Sequence, residues 1–380
     1  MIFFGALIIP ISGFMGAYLS YRNVNTTLIG TILATSNILG FTGTYVLSFF
    51  CDRYKNIKWV LITSLILVFI LACIVLPNVN GSLLYICAVG ALGFFLFPLS
   101  CLFDTWILTS NHYVRQYFGF IRSGSSFGYA LFAIFYGRFI ENYGWAYMFI
   151  FSAFLIILML ILAVLIKDNY KEIFEVDEID EAKNPKKKKN VFHLFKNKNI
   201  VLILIVTFLI FLPSNAINTY LFYIVKYLGG GTKDQGIVYF VQAIVEIPAL
   251  MLFPVLIRKF KSKYLMLFAS FNYLIRMILI YLAPNITSLI LIYIFQSITY
   301  AIYFPNMRHY VDKHSPKELK ATAQSFVESF GIGLSGVLGN LFGGLIINYY
   351  SLKSMLFICI ILSLIALIFL IYVVISSKNE

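Results

Sequence analysis

Long apolar runs separated by short polar connectors dominate the hydrophobic pattern of this chain. A run of about 20 apolar residues is long enough to cross the hydrocarbon core of a bilayer as a helix. Most connectors are only a few residues long and carry Pro, Gly, Asn or charged side chains. The pattern predicts twelve membrane-spanning helices, at residues 2–20, 27–51, 59–76, 83–108, 118–140, 145–167, 200–227, 235–257, 264–282, 287–311, 321–348 and 354–376.

The connector at residues 168–199 differs from the others because it is long and polar. It holds an acidic stretch, EIFEVDEIDEA, followed by the basic string PKKKKN. We expect this lysine run to be a solvated tether or to touch anionic lipid headgroups. The predicted fold class is an all-α membrane protein with two six-helix halves, at residues 1–167 and 200–380, joined by the 168–199 linker.

The composition supports a membrane protein. The chain of 380 residues is 61% hydrophobic and 12% charged, whereas soluble domains average about 25% charged residues. Its start, MIFFGALIIP, enters an apolar run without a basic region, so we interpret it as a first span rather than a signal peptide. The cysteines lie in or beside apolar runs and are interpreted as small membrane hydrophobes, at Cys51, Cys73, Cys87, Cys101 and Cys359.

The positive charges follow the loop topology. Of the 29 Lys and Arg residues, 21 lie in connectors after even-numbered spans or in the C-terminal tail, and five lie after odd-numbered spans. The positive-inside rule then places both termini and the central linker in the cytoplasm. The net charge of +13 is explained by topology, so no nucleic-acid partner is expected. The Lys-, Asn- and Ile-rich bias favours a bacterial inner-membrane protein.

Few ionisable side chains lie deep within the spans, at Asp104, Arg122, Glu246, Arg276 and Glu328. A charge at the centre of a spanning helix costs about 2.5–3.5 kcal/mol on the insertion scale, so such groups normally face a partner or a wet cavity. Counting from the connector between the eighth and ninth spans puts both Glu246 and Arg276 ~18–20 Å from the cytoplasmic surface.

The same counting places Asp104 and Arg122 level with each other, ~7–8 Å from their helix ends. Two acid–base pairs at matched depth, one in each half, predict a polar central site. The alternative interpretation is that the pairs are structural and only set the register of the helices. Glu328 has no obvious partner and either faces the cavity or approaches the cytoplasmic side near Lys320.

Glu246 is the predicted proton carrier, because a membrane-embedded acid whose surroundings change can bind and release a proton. This hypothesis requires Glu246 and Arg276 to separate during the transport cycle. Tyr129 lies seven residues after Arg122 on nearly the same helix face and is a candidate for stacking on substrate. Asn218 and Gln296 are candidate hydrogen-bonding groups.

Motifs for nucleotide binding, metalloprotease activity and nucleophilic catalysis are absent from the sequence. We therefore expect no enzyme, no metal and no cofactor, with the proton as coupling ion. The expected partners are a small-molecule substrate and membrane lipids, and the expected functional state is a monomer.

The string SFFCDRYKNIK at residues 48–58 resembles the motif between the second and third spans of the major facilitator superfamily, G-x-x-x-D-R-x-G-R-K. Asp52, Arg53 and Lys58 match it, whereas Ser48 and Lys55 replace its two glycines. In that family the acidic and basic residues of the motif close the cytoplasmic side. The resemblance therefore implies a cytoplasmic gate at Asp52, Arg53 and Lys58.

The strings FGFIRSGSSFGYA (118–130) and ELKATAQSF (318–326) are similar to the branch that holds lactose permease, nucleoside–proton symporters and phenylpropionate permease-like proteins. The resemblance spans the whole chain. It implies substrate binding by Asp104, Arg122 and Tyr129, and proton coupling by Glu246 and Arg276.

The chain also departs from lactose permease. The His and Glu of its tenth span are replaced near Gln296 and Thr299, and the acids of its seventh span are replaced by Asn or Ala. Lactose itself is therefore not expected as the substrate.

Together these observations predict a proton-coupled secondary transporter that imports a sugar, glycoside or nucleoside by alternating access. A proton-driven exporter of amphipathic compounds in the same fold stays open, because embedded acids serve antiport as well as symport. A membrane solute sensor that does not transport stays open as a second alternative.

Overall fold

The computed structural model describes residues 1–110, 114, 116–166, 197–316 and 319–376. This part of the chain is helical and contains no strand. The first six long helices are α1 Ile2–Tyr21, α2 Thr26–Tyr54, α3 Ile57–Asn78, α4 Ser82–Leu108, α5 Phe118–Tyr143 and α6 Ala146–Leu165. The last six are α7 Lys198–Thr219 with its continuation Leu221–Tyr227, α8 Thr232–Lys259, α9 Ser262–Leu282, α10 Ile286–His314, α11 Thr322–Tyr349 and α12 Leu352–Ser376.

A helix lies at each of the twelve predicted spans, which confirms the predicted fold class. In the described ranges, eleven helices are long and apolar enough to cross a membrane. The twelfth, α5, has 26 residues, which is ample for a bilayer. Its polar string RSGSS and its charged residues lower its mean hydropathy.

Contacts between Cα atoms divide the chain into two units. The first is built from α1 to α6, and the second from α7 to α12 together with residues 25–30 at the start of α2. The domain limits at 167 and 200 stay predictions. Residues 167–196, including most of the predicted linker and its lysine run, lie outside the described residues.

Close contacts between helix backbones position α1 against α5 in the first unit. A Cβ atom added to Gly5 would lie 1.8 Å from the carbonyl oxygen of Ser125, and one added to Gly128 would lie 2.1 Å from that of Ile2. Only glycine fits at these two positions, because any side chain would collide with backbone atoms. The helix that carries Arg122 is therefore held firmly to the first span.

Small residues also allow helices to pack closely in the second unit. The sequence shows Ser335, Gly339 and Gly343 at four-residue spacing on α11, which predicts close helix packing. The structure confirms it: a Cβ on Gly339 would lie 3.0 Å from the Leu212 carbonyl oxygen, and one on Gly343 would lie 2.6 Å from the ring of Tyr220. The partner helix is α7 in both cases.

Several spans are interrupted by other helical forms. Ile9–Gly13 of α1, Ile70–Val75 of α3 and Glu328–Gly333 of α11 are π-helical, and Tyr293–Ser297 of α10 is a 3-10 segment. After that segment Thr299 has φ −98° and ψ −86°, which separates it from the helix Tyr300–His314. Such irregular segments within helices often accompany functional positions, and those in α10 and α11 contain Gln296 and Glu328.

Candidate functional site

A buried arginine is the centre of the polar cluster in the second unit. Arg276 lies on α9 and is only 2% exposed. Its Nη1 donates a hydrogen bond to Oε1 of Gln296 at 2.5 Å. Its guanidinium carbon also lies 4.6 Å from the centroid of the Tyr293 ring, a distance typical of a cation–π contact. Both partners belong to the 3-10 segment of α10. This segment therefore provides the hydrogen-bond acceptor and the aromatic ring that contact the Arg276 guanidinium.

Glu246 joins this cluster through Gln296 rather than through Arg276. The Gln296 side chain also lies near enough to the Glu246 carboxylate to influence it electrostatically. Because Oε1 of Gln296 accepts from Arg276, its Nε2 is the group that can donate to Glu246. The Gln296 amide thus accepts from Arg276 and lies beside Glu246, and we call the three residues the Glu246–Gln296–Arg276 relay.

The direct Glu246–Arg276 contact suggested by depth counting is corrected by this arrangement. Among the ion pairs within 4.0 Å between described residues, none joins Glu246 to Arg276. Counting along two helices gives the level of each side chain in the membrane but not its direction around the helix axis. Arg276 points at α10, and Glu246 reaches the same amide from α8.

Glu246 lies close to a proline within the continuous helix α8. Pro248 is two residues further along the 28-residue helix Thr232–Lys259, and proline lacks the N–H that would bond to the carbonyl four residues earlier. The carbonyl of Ile244 therefore lacks its usual helical donor. The acid consequently lies beside a point where the helix can bend.

An ion pair between Arg308 and Glu328 lies in the same unit and has no counterpart in the sequence-based predictions. Nε of Arg308 on α10 contacts Oε1 of Glu328 at 2.5 Å, and the Arg308 guanidinium carbon lies 4.8 Å from the centroid of the Phe304 ring. Tyr300 stacks on Phe304 with a centroid distance of 5.2 Å. Tyr300, Phe304 and Arg308 are spaced by four residues and lie on one face of α10. This face runs from the 3-10 segment that contains Gln296 to the Arg308–Glu328 pair.

The expectation that Glu328 has no obvious partner is therefore wrong. The predicted tenth span ends at residue 311, whereas α10 continues to His314. Counted from the observed ends at His314 and Lys320, Arg308 and Glu328 lie ~9 and ~12 Å deep. The pair could have been found from the sequence if the helix end had been placed correctly. Lys320 pairs instead with Asp312, at 2.7 Å.

The first unit contains the predicted Asp104–Arg122 pair. Nε of Arg122 lies 3.0 Å from Oδ1 and 3.1 Å from Oδ2 of Asp104, and its Nη2 donates to the Ser100 hydroxyl at 3.4 Å. The side chains are 39% and 28% exposed for Arg122 and Asp104. This confirms the contact inferred from matched depth, and it leaves part of both charged groups accessible to a ligand.

Tyr129 and Asn218 are the remaining candidate substrate-binding residues. Tyr129 is half-buried on α5, about two turns from Arg122. Asn218 is half-buried near the end of Lys198–Thr219, and its Oδ1 has no hydrogen-bond partner within the described ranges. That oxygen is an available acceptor on α7. Binding roles for both residues stay predictions.

The residues of the predicted cytoplasmic gate lie where α2 ends and α3 begins. Asp52 and Arg53 are exposed, while Nζ of Lys58 donates to the carbonyl oxygens of Val164 at 2.6 Å and Ile166 at 2.8 Å. These are the last carbonyls of α6, which a cation stabilises. Lys58 therefore fixes the end of α6, and its role in gating stays a prediction.

The replacement of the second motif glycine by Lys55 has a visible conformational consequence. Lys55 has φ +51°, in the left-handed region that favours glycine. The tight connection to the next helix requires this conformation, and the Asn56 side chain then caps α3 by accepting from the Trp59 N–H at 3.0 Å. The geometry explains why the superfamily motif has glycine at this position.

The described helices and their embedded charge clusters define a multi-pass membrane transporter rather than a soluble protein. Over the same residues no group of three or more His, Cys, Asp or Glu could hold a metal ion. The polar groups of the site lie on spanning helices, and Gln296 and Glu328 lie in irregular segments of them, an arrangement found at solute and ion sites in secondary transporters.

Comparisons with known proteins support this class. The crystal structure of the nucleoside transporter NupG superimposes with a TM-score of 0.82 at 15% identity, over 98% of this chain and 96% of that one. The D-xylose-proton symporter gives 0.74 at 16% identity, over 97% and 94%. At these identities the likeness shows the fold alone.

Among curated proteins, the uncharacterized transporter YwbF of Bacillus subtilis (strain 168) is 26% identical over 193 residues. The match covers 51% of this chain and 48% of YwbF, so the chain spans about half the length of the curated relative it matches. The MFS_1 like family matches residues 1–375, and the chain belongs to this family of major facilitator transporters.

Proposed function

We propose that the protein is a proton-coupled secondary transporter that imports a small polar solute such as a sugar, glycoside or nucleoside by alternating access. The observation that carries the proposal is the Glu246–Gln296–Arg276 relay. The neutral Gln296 amide accepts a hydrogen bond from Arg276 and lies beside Glu246. An acid locked in a salt bridge would stay charged, whereas Glu246 is free of one within the described chain and can exchange a proton.

Protonation of Glu246 changes what the relay can offer to a ligand. As a carboxylate, Glu246 accepts a hydrogen bond from the Gln296 amide. As a carboxylic acid it becomes a donor and weakens its hold on that amide. A change at Glu246 is therefore passed to Gln296 and Arg276, and to the break in α10 that carries Gln296. This connects proton binding with the conformation of a spanning helix.

The chemistry of the Asp104–Arg122 pair supports a neutral, hydroxyl-rich solute. Its two charges cancel, while the remaining lone pairs of Asp104 and N–H groups of Arg122 can bind adjacent hydroxyl groups. An aromatic such as Tyr129 could stack on a sugar ring or a nucleobase. The names of two similar structures, a nucleoside transporter and a D-xylose-proton symporter, support the same solute classes.

The proposal places the protein in the bacterial inner membrane as a functional monomer with both termini in the cytoplasm. Asp52, Arg53 and Lys58 would then belong to the cytoplasmic gate. To test this orientation, a single cysteine is added near each terminus of a variant that lacks the five native cysteines. An impermeant maleimide should label these cysteines only after the cytoplasmic face is exposed. Labelling in intact cells would contradict this orientation.

Transport in proteoliposomes tests the function directly. Purified protein is reconstituted and the uptake of labelled nucleosides, pentoses, hexoses and glycosides is measured with the interior at pH 8 and the exterior at pH 6. We expect one class to accumulate, and dissipating the gradient with a protonophore should abolish accumulation but not counterflow. Loss of preloaded solute against the gradient would instead establish an exporter, and binding without counterflow would establish a sensor.

The proton-carrier role is tested by Glu246→Gln. This variant should lose gradient-driven accumulation while keeping counterflow, because an amide keeps the shape of the acid but carries no proton. Glu141→Gln, at the exposed end of α5, is the matched control and should accumulate solute normally. Accumulation by Glu246→Gln at the wild-type level would refute the role.

A further inference from the structure

A cleft at one end of the second unit has no part in the proposed transport site. It has a volume of about 720 Å³. It lies where α7 and α9 begin and where α8, α10 and α12 end. All five of these helix ends are on the side that the positive-inside rule predicts to be cytoplasmic, so the cleft opens at the level of one membrane surface.

The ionisable side chains of Lys and His that line this cleft are all basic. Lys261, Lys263 and Lys313 line it, together with His309 and His314. No Asp or Glu is among its described lining residues. The neighbouring acid, Asp312, is occupied by its ion pair with Lys320 at 2.7 Å. Among its described lining residues the cleft therefore offers three ammonium groups and no carboxylate to an anion.

The inner wall of the same cleft is apolar and runs along the spanning helices. It is formed by Leu202, Ile203, Val206, Ile257, Met266 and Leu370. A soluble anion would gain nothing from this wall, whereas an acyl chain would cover it. The combination of a basic rim at the membrane surface and an apolar wall below it matches an amphiphile with a negative headgroup.

Hydrogen bonds between helices hold the rim in place. The amide of Asn306, which is fully buried on α10, donates to the Ser262 carbonyl at 2.8 Å and accepts from the Ser262 hydroxyl at 2.7 Å. The Asn197 amide donates to the carbonyl of His314 at 2.7 Å. These contacts fix the start of α9 and the end of α10, which carry two of the lysines, so the cleft is preformed.

We propose that this cleft binds the anionic headgroup of a membrane phospholipid, with the phosphate among Lys261, Lys263 and Lys313 and an acyl chain along the apolar wall. Basic pockets between spanning helices on the cytoplasmic side are known recognition sites for such headgroups. The site is separate from the relay and does not depend on which solute is transported.

Native mass spectrometry and lipid titration on the full-length protein in detergent test the site. The probes are phosphatidylglycerol, zwitterionic phosphatidylcholine with the same acyl chains, and glycerol 1-phosphate, which carries the charge without the chains. The pocket variant combines Lys261→Gln, Lys263→Gln and Lys313→Gln. The control combines Lys226→Gln, Lys233→Gln and Lys353→Gln, which removes the same charge from the opposite helix ends.

We expect wild type and control to prefer phosphatidylglycerol to phosphatidylcholine and to bind glycerol 1-phosphate weakly. The pocket variant should bind phosphatidylglycerol roughly a hundredfold more weakly, and Lys313→Gln alone about fivefold more weakly. Circular dichroism checks that each variant is folded, and the single variant keeps the test valid if the triple variant is not. Equal lipid binding by pocket and control variants, or glycerol 1-phosphate binding as tight as the lipid, would overturn the proposal.

Discussion

Replacing Gln296 by leucine should destabilise the protein by removing the hydrogen-bond acceptor of a buried charge. Arg276 is 2% exposed, and Nη1 uses the Gln296 oxygen at 2.5 Å. Its Nε has no partner in the described part of the chain, so Tyr293 would be left as its main stabilising contact. Because a hydrogen bond to a charged group contributes about 1.5–3 kcal/mol, we expect Gln296→Leu to lower the free energy of unfolding by about 2–3 kcal/mol.

The assay is reversible unfolding in mixed micelles, followed by circular dichroism at increasing denaturant fraction. Gln242→Leu on α8 is the matched control, because the Gln242 Oε1 is buried without a hydrogen-bond partner among the described residues. Removing an unsatisfied polar group should be neutral or slightly stabilising. The two variants make the same substitution, at a glutamine whose amide oxygen accepts from Arg276 and at one whose amide oxygen is buried without a partner among the described residues.

A double-mutant cycle shows whether the effect comes from the arginine. Combining Gln296→Leu with Arg276→Met removes the charge together with its acceptor, and the pair should be less destabilised than Gln296→Leu alone. A coupling energy of at least about 1.5 kcal/mol is expected from the charged hydrogen bond. Additive effects of the two substitutions would refute the interpretation of Gln296 as the stabilising partner of Arg276.

Three further substitutions test other parts of the structure. Gly128→Val should prevent stable folding, because a Cβ at this position would lie 2.1 Å from the backbone oxygen of Ile2. The control Gly119→Ala should be tolerated, because a Cβ there has no atom within 4 Å. Expression level and thermal melting of the two variants measure the difference. Lys55→Gly should raise the free energy of unfolding by about 0.5–1 kcal/mol, because it removes a left-handed lysine; a loss of stability would contradict this. Glu328→Gln should cost less than about 1 kcal/mol in unfolding, because its pair with Arg308 is half-exposed, and a larger loss would show a stronger structural role.

The sequence predicts the helices well because membrane crossing depends on a property of long segments. Every predicted span contains a helix, and the ends differ by only a few residues. The helix α5 tests this rule most severely, since its hydropathy is low although its position is clear from the neighbouring spans. Gly128 on α5 and Gly5 on α1 are needed for close contacts between the two helix backbones, and a hydropathy value contains no information on such contacts.

The candidate site was predicted less completely, because counting along a helix gives the depth of a side chain in the membrane but not its direction around the helix axis. Equal depth correctly paired Asp104 with Arg122, whose helices are joined by a short connector. It suggested a direct contact between Glu246 and Arg276, where the structure has an amide between them. The Arg308–Glu328 pair was missed through an error of three residues in the end of one helix, which corresponds to ~4.5 Å of depth.

The glutamine between Glu246 and Arg276 resolves a physical conflict in the predicted mechanism. A carboxylate in contact with a buried guanidinium is stabilised in its charged form, so it could exchange a proton only after the two helices separated. In the structure the acceptor of Arg276 is the neutral Gln296 amide, which carries no charge that depends on Glu246. If the proposed proton coupling holds, protonation of Glu246 would not require an ion pair to break inside the membrane, because none joins Glu246 to Arg276 among the described residues.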